Sequence, residues 1–374
     1  MSIKNRTAIA VLLGITLAAS SAAPQGREIL TLSMTNGGAA DKLLRIRLAD
    51  GSADVVERLR RDPLAPRSRV LKENLFQVVG RPAGQAAAPG EIFLVPLAGS
   101  DGTVRSALYV ESPIGYAAYF EDIGKGNKLG TVKTVAGRPF ESVAATDNNF
   151  ALLVRHDSSG RTVGAYLYHG TTGRAAYVDG LRRLETSLKP VPTPTLPPMT
   201  GGIAVAELHV DSEETSGYLV VDSQSGRLHV FDVPEEAPAQ LSARLIPVNI
   251  FDVLPQDLSN ETVTSPRRFE LVPVQASDSQ VLHVLLLDAV TGSLVLLENV
   301  ADPMTLLLRK ISFNLNSALG AVSGPRLLTP VPNLSSSGET TGVWVFDSQS
   351  DGVVYLSNPG DPNAIDAARA AVVP

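Results

Sequence analysis

Apolar residues run along this chain in short stretches punctuated by turn chemistry, and the clearest case is Gly217 to Val233, GYLVVDSQSGRLHVFDV. Tyr218 to Val221 predicts a strand that closes at Asp222, and Leu228 to Phe231 predicts its partner. Between them Asp222 to Gly226 reads as a hairpin loop, in which Asp accepts backbone N–H bonds across the turn and Gly takes a positive φ. Residues just before the turn acid are apolar at every position: Leu219, Val220 and Val221; Leu285, Leu286 and Leu287; Trp344, Val345 and Phe346. Strict alternation would mean a sheet wet on one side, so these runs predict strands covered on both faces.

The hairpin recurs. Asp288 and Gly292 mark it in VLLLDAVTGSLVLLEN, and Asp347 and Gly352 mark it, with one inserted residue, in VWVFDSQSDGVVYLSN. Upstream, Glu111 and Gly115, then His169 and Gly173, keep the same offset. A degenerate copy around RIRLADGSADVVERL offers Asp50-Gly51 as a two-residue hairpin signal. Successive turn glycines, at 51, 115, 173, 226, 292 and 352, are 64, 58, 53, 66 and 60 residues apart. Each hairpin follows another apolar strand (Ile29, Ile92, Phe150, Ile203, Phe269 and Leu327 open them) and precedes a weaker one, often introduced by Asp-Pro as at Asp302-Pro303 and Asp361-Pro362. About four strands per unit is the content of a propeller blade, and a period this long requires extended loops.

Length and composition narrow the architecture. At 374 residues, 44% hydrophobic and 19% charged, the chain is too apolar for disorder and long enough for a large core. A unit of four strands cannot bury both faces alone, so the repeat predicts one closed array of six blades over residues 24–374, with seven, one shared between the termini, as the alternative. Two connections stand out within it. Five prolines crowd Lys189 to Pro198 in the loop assigned to 188–202, and 234–268 is the longest connection, with Leu245 to Val253 apolar enough to form a strand of its own. Ala364 to Val373 is expected to form the last strand.

Residues 1–23 read as a cleaved secretory signal: Lys4 and Arg6, an apolar run from Ala8 to Ala19, then small residues before Pro24. The run is too short to span a bilayer, so no membrane span is expected after cleavage. The chain contains no cysteine, which fits an exported bacterial protein, periplasmic or extracellular, held by packing and not by disulfides. Without the signal, 30 basic residues face 38 acidic ones, a balance of −8 that argues against nucleic acid as a partner.

The units ending in Asp-x-x-Ser/Thr-Gly, such as VVDSQSGRLHVF and LLDAVTGSLVLL, resemble β-propeller blades of exported bacterial YVTN-, NHL- and quinoprotein-like superfamilies, with no single family favoured. The resemblance implies an all-β propeller. Quinoprotein blades commonly carry a tryptophan after the turn, whereas Trp344 lies before one, so no cofactor is implied.

Candidate chemistry is sparse. His156, His169, His209, His229 and His283 are scattered without the short spacing usual for zinc, and His169, standing where other copies have an acid, is expected to cap its turn. Asp211-Ser-Glu-Glu and Asp257 to Glu261 lack the regular spacing of a calcium loop, and no Gly-x-Ser-x-Gly elbow occurs. The basic stretch Glu57 to Lys72 reads as a solvated outer strand and its loop. The residues singled out are therefore structural: Asp50, Gly51, Glu111, Gly115, His169, Gly173, Asp222, Gly226, Asp288, Gly292, Asp347 and Gly352, with no catalytic, metal or cofactor-binding residue assigned. The expected function is a non-catalytic exported propeller that presents loops to a protein or glycan of the cell envelope. The alternative is a metal-dependent, lactonase-like hydrolase with acids and histidines meeting on the axis.

Overall fold

The computed structural model describes residues 29–370 apart from 37–38, 60, 82–85, 89, 100, 102, 211, 256–267, 278–279, 321–325, 327, 336, 348 and 351. The expected signal at 1–23 and the acidic stretch Asp257 to Glu261 lie outside the described residues, as does Asp211. Six antiparallel sheets of four strands follow one another along the chain. Blade 1 is Ile29–Asn36, Ala39–Arg47, Ala53–Glu57 and Arg67–Val70 (β1 to β4), followed by a one-turn helix, Leu75–Val79 (α1). Blade 2 is Ile92–Ala98, Val104–Glu111, Tyr116–Glu121 and Thr131–Thr134 (β5 to β8), and blade 3 is Phe150–His156, Thr162–His169, Arg174–Asp179 and Pro190–Pro192 (β9 to β12). Blade 4 is Ile203–Leu208, Gly217–Asp222, Arg227–Asp232 and Ser242–Asn249 (β13 to β16). Blade 5 is Phe269–Gln275, Val281–Asp288, Ser293–Glu298 and Leu307–Asn314 (β17 to β20), then a second short helix, Leu315–Leu319 (α2). Blade 6 is Leu328–Leu334, Thr340–Asp347, Gly352–Ser357 and Asp366–Ala370 (β21 to β24). Every sheet is built from consecutive strands, so the count is six, and among the described residues no blade is shared between the termini.

The second strand of each blade explains the solid apolar runs. In β14, Leu219 and Val221 pack toward blade 5 while Tyr218 and Val220 pack toward blade 3, and all four are buried. In β18 the same split puts Val284 and Leu286 in the core shared with blade 4 and Leu285 and Leu287 in the core shared with blade 6. Burial on both faces is the interaction that holds neighbouring blades together, because each side chain removed from water contributes roughly 1.5–3 kcal/mol. Outer strands are exposed instead. Pro190–Pro192 is solvent-facing along its length, where proline's missing N–H does no harm at a sheet edge. The 188–202 stretch thus supplies an outer strand as well as a crossing loop, and 234–268 supplies β16. Among the described residues no helix is long and apolar enough to cross a membrane.

One joint, repeated with variations, fixes the turns between second and third strands. The turn glycine's carbonyl accepts the N–H of a buried apolar residue arriving from the outer strand: Leu75 to Gly51 (2.8 Å), Phe140 to Gly115 (3.3 Å), Leu196 to Gly173 (2.8 Å), Ile250 to Gly226 (2.9 Å) and Leu315 to Gly292 (2.8 Å). This close approach, with φ of +66° at Gly226, is why glycine recurs; a Cβ there would collide with Asn249 and Phe251. In blade 6 Gly352 departs from the expectation: it opens β23 outside the positive-φ set, and the residues after β24 lie outside the described ones. The two-residue loop expected at Asp50-Gly51 is longer. Arg47, the partner of Ile29 in register, accepts the Gly51 N–H at 2.8 Å, so the loop is four residues long, with Asp50 inside it accepting from Ser52 N at 2.8 Å.

The turn acids reach backward to the chain entering their own blade. Asp288 holds Arg268 (3.0 Å), Asp347 holds Arg326, Glu111 lies 3.7 Å from Arg81, and His169 bridges Asp147 (2.6 Å) and Thr172 (2.8 Å). Asp222 instead accepts from Gly201 N (2.9 Å), Thr200 N (3.3 Å), Thr200 Oγ1 (3.2 Å), Gln224 N (3.0 Å) and Ser225 Oγ (2.8 Å). Burial alone would raise its pKa, but the hydrogen bonds from Ser225, Gln224, Gly201 and Thr200 prevail and hold the carboxyl below its ordinary value. A depressed folded pKa contributes stability above the unfolded value and loses it as pH falls through the folded one. Asp222→Ala is therefore expected to destabilise by about 1–3 kcal/mol at neutral pH, a difference that shrinks toward about pH 3. Urea unfolding at both pH values measures it, and a pH-independent gap contradicts the assignment.

Candidate functional site

The six inner strands can be aligned by register, since Ile92, Phe150, Ile203, Phe269 and Leu328 each pair with the turn residue of their own blade. Third positions, including Thr31, Leu94, Leu152, Leu271 and Pro330, line an axial channel of 260 Å³ together with Val154 and Glu270. Alternation carries the same strand face to the fifth and seventh positions. At the fifth position blades 2, 5 and 6 have Pro96, Pro273 and Pro332 and blade 3 has Val154, but blade 4 has Glu207. At the seventh, Ala98, Gln275 and Leu334 contrast with His156 in blade 3 and His209 in blade 4.

These three exceptions meet. His156 Nδ1 is 2.8 Å from Glu207 Oε1, and His209 Nε2 is 3.1 Å from the same oxygen. One ligand-type atom from each lies within 4.8 Å of the others. Side-chain exposure is 16% for His156, 20% for Glu207 and 10% for His209, so the cluster is largely withdrawn from solvent. Although His209 Nε2 is close to the carboxylate, its ring is not aligned for a hydrogen bond, and this buried nitrogen has no hydrogen-bond partner. Its other nitrogen, Nδ1, faces Gln275 Nε2 at 3.4 Å.

Thr215 shows how a structural joint is adapted here. Elsewhere the first residue of a second strand ties down the inner strand of the preceding blade. Thr162 Oγ1 accepts from Ala98 N (3.1 Å) and donates to Pro96 O (3.0 Å), and Thr340 Oγ1 accepts from Gln275 N (3.0 Å). Thr215 Oγ1 likewise accepts from His156 N at 2.7 Å, but its proton goes to Glu207 Oε1. The equivalent backbone acceptor, Val154 O, is occupied by Tyr218 OH at 2.7 Å.

Electrostatics follow from this enclosure. Burial favours the neutral acid, yet His156 and His209 outweigh it and hold the Glu207 carboxyl far below the usual range. For His156, burial lowers and Glu207 raises the pKa, and the net direction is upward. Burial, reinforced by Glu207, pushes the Tyr218 phenol well up, so it stays protonated as a donor.

Next to His156 a second feature opens on the outer side of blade 3. Arg155, Asp157, Asp179, Arg182, Glu185 and Lys189 are among the residues lining a recess of 640 Å³. Arg155 is tethered to Glu214 of blade 4 at 3.3 Å and Arg183 lies 3.8 Å from Glu185. The recess is lined by charges of both signs alongside apolar Val163 and Val191.

The residues singled out from sequence do not gather into this site. The turn set from Glu111 to Asp347 lies at the opposite end of the inner strands, in the joints described above. His229 and His283 sit in β15 and β18, where burial lowers the pKa of each. Sequence reasoning passed over Glu207, although strand alternation carried through Glu207-Leu208-His209 places both functional groups on one face.

No family model matches the chain, and no curated protein matches it. Among solved structures, an Agrocybe aegerita lectin that recognises non-reducing terminal N-acetylglucosamine aligns with 91% of this chain and 80% of its own at 10% identity and a TM-score of 0.54. The chain is a six-bladed β-propeller. The periplasmic gluconolactonase of Pseudomonas aeruginosa (14% identity, 90% of this chain, 89% of its own, TM-score 0.45) and a putative 6-phosphogluconolactonase of Bacteroides uniformis (11%, 93%, 97%, TM-score 0.44) also align. At such identities the likeness concerns the fold alone.

Proposed function

We propose that this propeller is a non-catalytic exported binding protein that takes a polar ligand, a segment of an envelope protein or a glycan, at the charged recess on blade 3. The observation that carries the reading is the recess itself: 640 Å³ of space beside the axial mouth, lined by Arg155, Arg182, Arg183 and Lys189 together with Asp157, Asp179 and Glu185. A rigid ring supporting loops around a charged concavity suits recognition through hydrogen bonds and charge complementarity. Because 188–202 and 234–268 contain β12 and β16, deleting them would damage two blades. Charge reversal is the cleaner probe. Arg182→Glu with Lys189→Glu is expected to weaken capture of the wild-type ligand, on glycan arrays and in envelope extracts, by about tenfold or more (about 1.4 kcal/mol) while leaving the melting temperature unchanged. Equal capture by both proteins would sink the reading.

The hydrolase reading keeps one specific observation, the meeting of His156, Glu207 and His209 at one mouth. Its test is lactone opening by the purified protein, followed by acid release, with Glu207→Gln as the comparison. Turnover that Glu207→Gln abolishes would replace the non-catalytic reading.

A further inference from the structure

We infer that His156, Glu207 and His209 form a binding site for a single divalent transition-metal ion of the zinc class, at the mouth of the axial channel between blades 3 and 4. The inference stands apart from the recess, since none of the three residues lines it.

The donor set decides the class of ion. Two imidazoles and one carboxylate match borderline ions such as Zn²⁺ or Co²⁺, whereas Ca²⁺ and Mg²⁺ prefer oxygen ligands throughout. Three protein ligands leave a fourth position open to water or an exogenous ligand.

The geometry supports convergence on a common centre. His156 presents Nδ1 and His209 presents Nε2 to the same carboxylate oxygen, at 2.8 and 3.1 Å. His209 Nε2 is buried, lies 3.1 Å from Glu207 Oε1 and has no hydrogen-bond partner, so a nitrogen beside the carboxylate is left unused. Leaving such an atom unsatisfied costs about 1–3 kcal/mol, a penalty that ligation removes. The ring also has an outer partner: Gln275 faces His209 Nδ1, and with the amide turned so that its carbonyl accepts from Nδ1–H, Nε2 is free to ligate. On the other flank, the Thr215 hydroxyl bridges His156 N and Glu207, fixing the backbone of one ligand and the carboxylate of the other.

A purely structural account explains less. The four blades outside the site fill the equivalent fifth and seventh positions with serine and threonine (blade 1) or with proline followed by alanine, glutamine or leucine (blades 2, 5 and 6) and close into the same ring, so the architecture does not require three titratable groups there. Replacing an enclosed ionic cluster by apolar residues is commonly neutral or stabilising. The polar set is best understood as retained for what it binds.

The test uses the untagged chain, stripped with chelator and titrated with ZnCl₂, CoCl₂ and CaCl₂ by calorimetry. The expected result is one Zn²⁺ per chain, bound at least 100-fold tighter than Ca²⁺, with a rise in melting temperature on saturation. Co²⁺ is expected to give the intense visible bands of a low-coordinate nitrogen–oxygen site. His209→Ala and Glu207→Gln should each weaken Zn²⁺ by about 10–100-fold or more, and Gln275→Ala, a positioning change, by less. Circular dichroism confirms the fold of each variant. Should His209→Ala fail to fold, Glu207→Gln and the wild-type Co²⁺ spectrum still decide. Zn²⁺ binding that survives both substitutions, equal affinity for Ca²⁺, or a six-coordinate Co²⁺ spectrum would each overturn the assignment.

Discussion

Arg326→Ala is expected to destabilise the protein by about 3–5 kcal/mol, the largest effect of any single polar substitution. Arg326 and Asp347 are 1% and 0% exposed as side chains, and the guanidinium is the carboxylate's cationic partner. Its Nε also donates to Asn316 Oδ1 at 2.6 Å and its Nη2 to Gly320 O, so one side chain ties the end of blade 5 to the turn of blade 6. Truncation leaves Asp347 charged and enclosed, with Ser350 Oγ (2.6 Å) and Gln349 N (3.1 Å) among its remaining donors, and removes a donor from the Gly320 carbonyl. The double change Arg326→Met with Asp347→Leu removes both charges and is expected to recover most of the loss, because desolvating the pair offsets much of its attraction. Denaturant unfolding of the two singles and the double closes the cycle. A single-variant loss under about 1 kcal/mol would place the pair in the weak class of surface bridges. Arg268 and Asp288 repeat the arrangement one blade earlier, with the guanidinium also lying over Phe251 and Phe269 at 5.0 and 4.9 Å.

Trp344→Ala carries the second large effect, about 3–5 kcal/mol, and it acts on ring closure. Since each blade is a contiguous sheet, no strand of one terminus completes a blade begun by the other among the described residues. Closure rests on side chains: Trp344, Phe346 and Val331 of blade 6 pack with Leu43, Val56 and Leu59 around blade 1. Trp344 Nε1 donates to Pro63 O at 3.1 Å, and the Arg45 guanidinium lies 5.6 Å from the Phe346 ring centre. A cavity here removes the only apolar seam between the first and last blades among the described clusters, so hydrogen exchange should accelerate first in β1 to β4 and β21 to β24. Trp344→Phe, which keeps most of the volume but drops the N–H, should cost about 1–2 kcal/mol. Uniform loss of protection around the ring would show that closure is not the weak point.

The second and third strands of each blade were legible because their chemistry is local. Asp222, Asp288 and Asp347 close a strand whose every residue is buried, and no ordinary half-exposed sheet produces that run. Inner strands were legible for the same reason. Outer strands were legible in part. The solvated strand expected within Glu57 to Lys72 is Arg67–Val70, and the last strand expected at Ala364 to Val373 is Asp366–Ala370. Pro190–Pro192, by contrast, faces solvent, carries no apolar signal and falls in a stretch expected as a loop. The capping asparagines were equally silent. Asn249 accepts from Phe251 N at 2.8 Å and donates to Ser225 O at 2.9 Å, and Asn314 does the same with Asn316 N and Thr291 O, yet each acts on a turn 23 to 24 residues back. The Asp50-Gly51 signal set its loop too short because a dipeptide takes no account of register, in which Arg47 pairs with Ile29.

For the site the division is sharper. Glu207 and His209, two residues apart where β13 ends, share a face if strand alternation carries one residue past Leu208, and that much was available from order and spacing. His156 lies 51 residues before Glu207, in another sheet. Only the wrapping of blade 3 against blade 4, which brings the ends of two inner strands to one mouth, places its Nδ1 beside the carboxylate. Local pairing rules thus determined the repeating hairpins and the number of modules, because hydrogen bonding and alternation act over a few residues. Tertiary packing decided which polar side chains meet, because inter-blade contacts join positions that no sequence period connects.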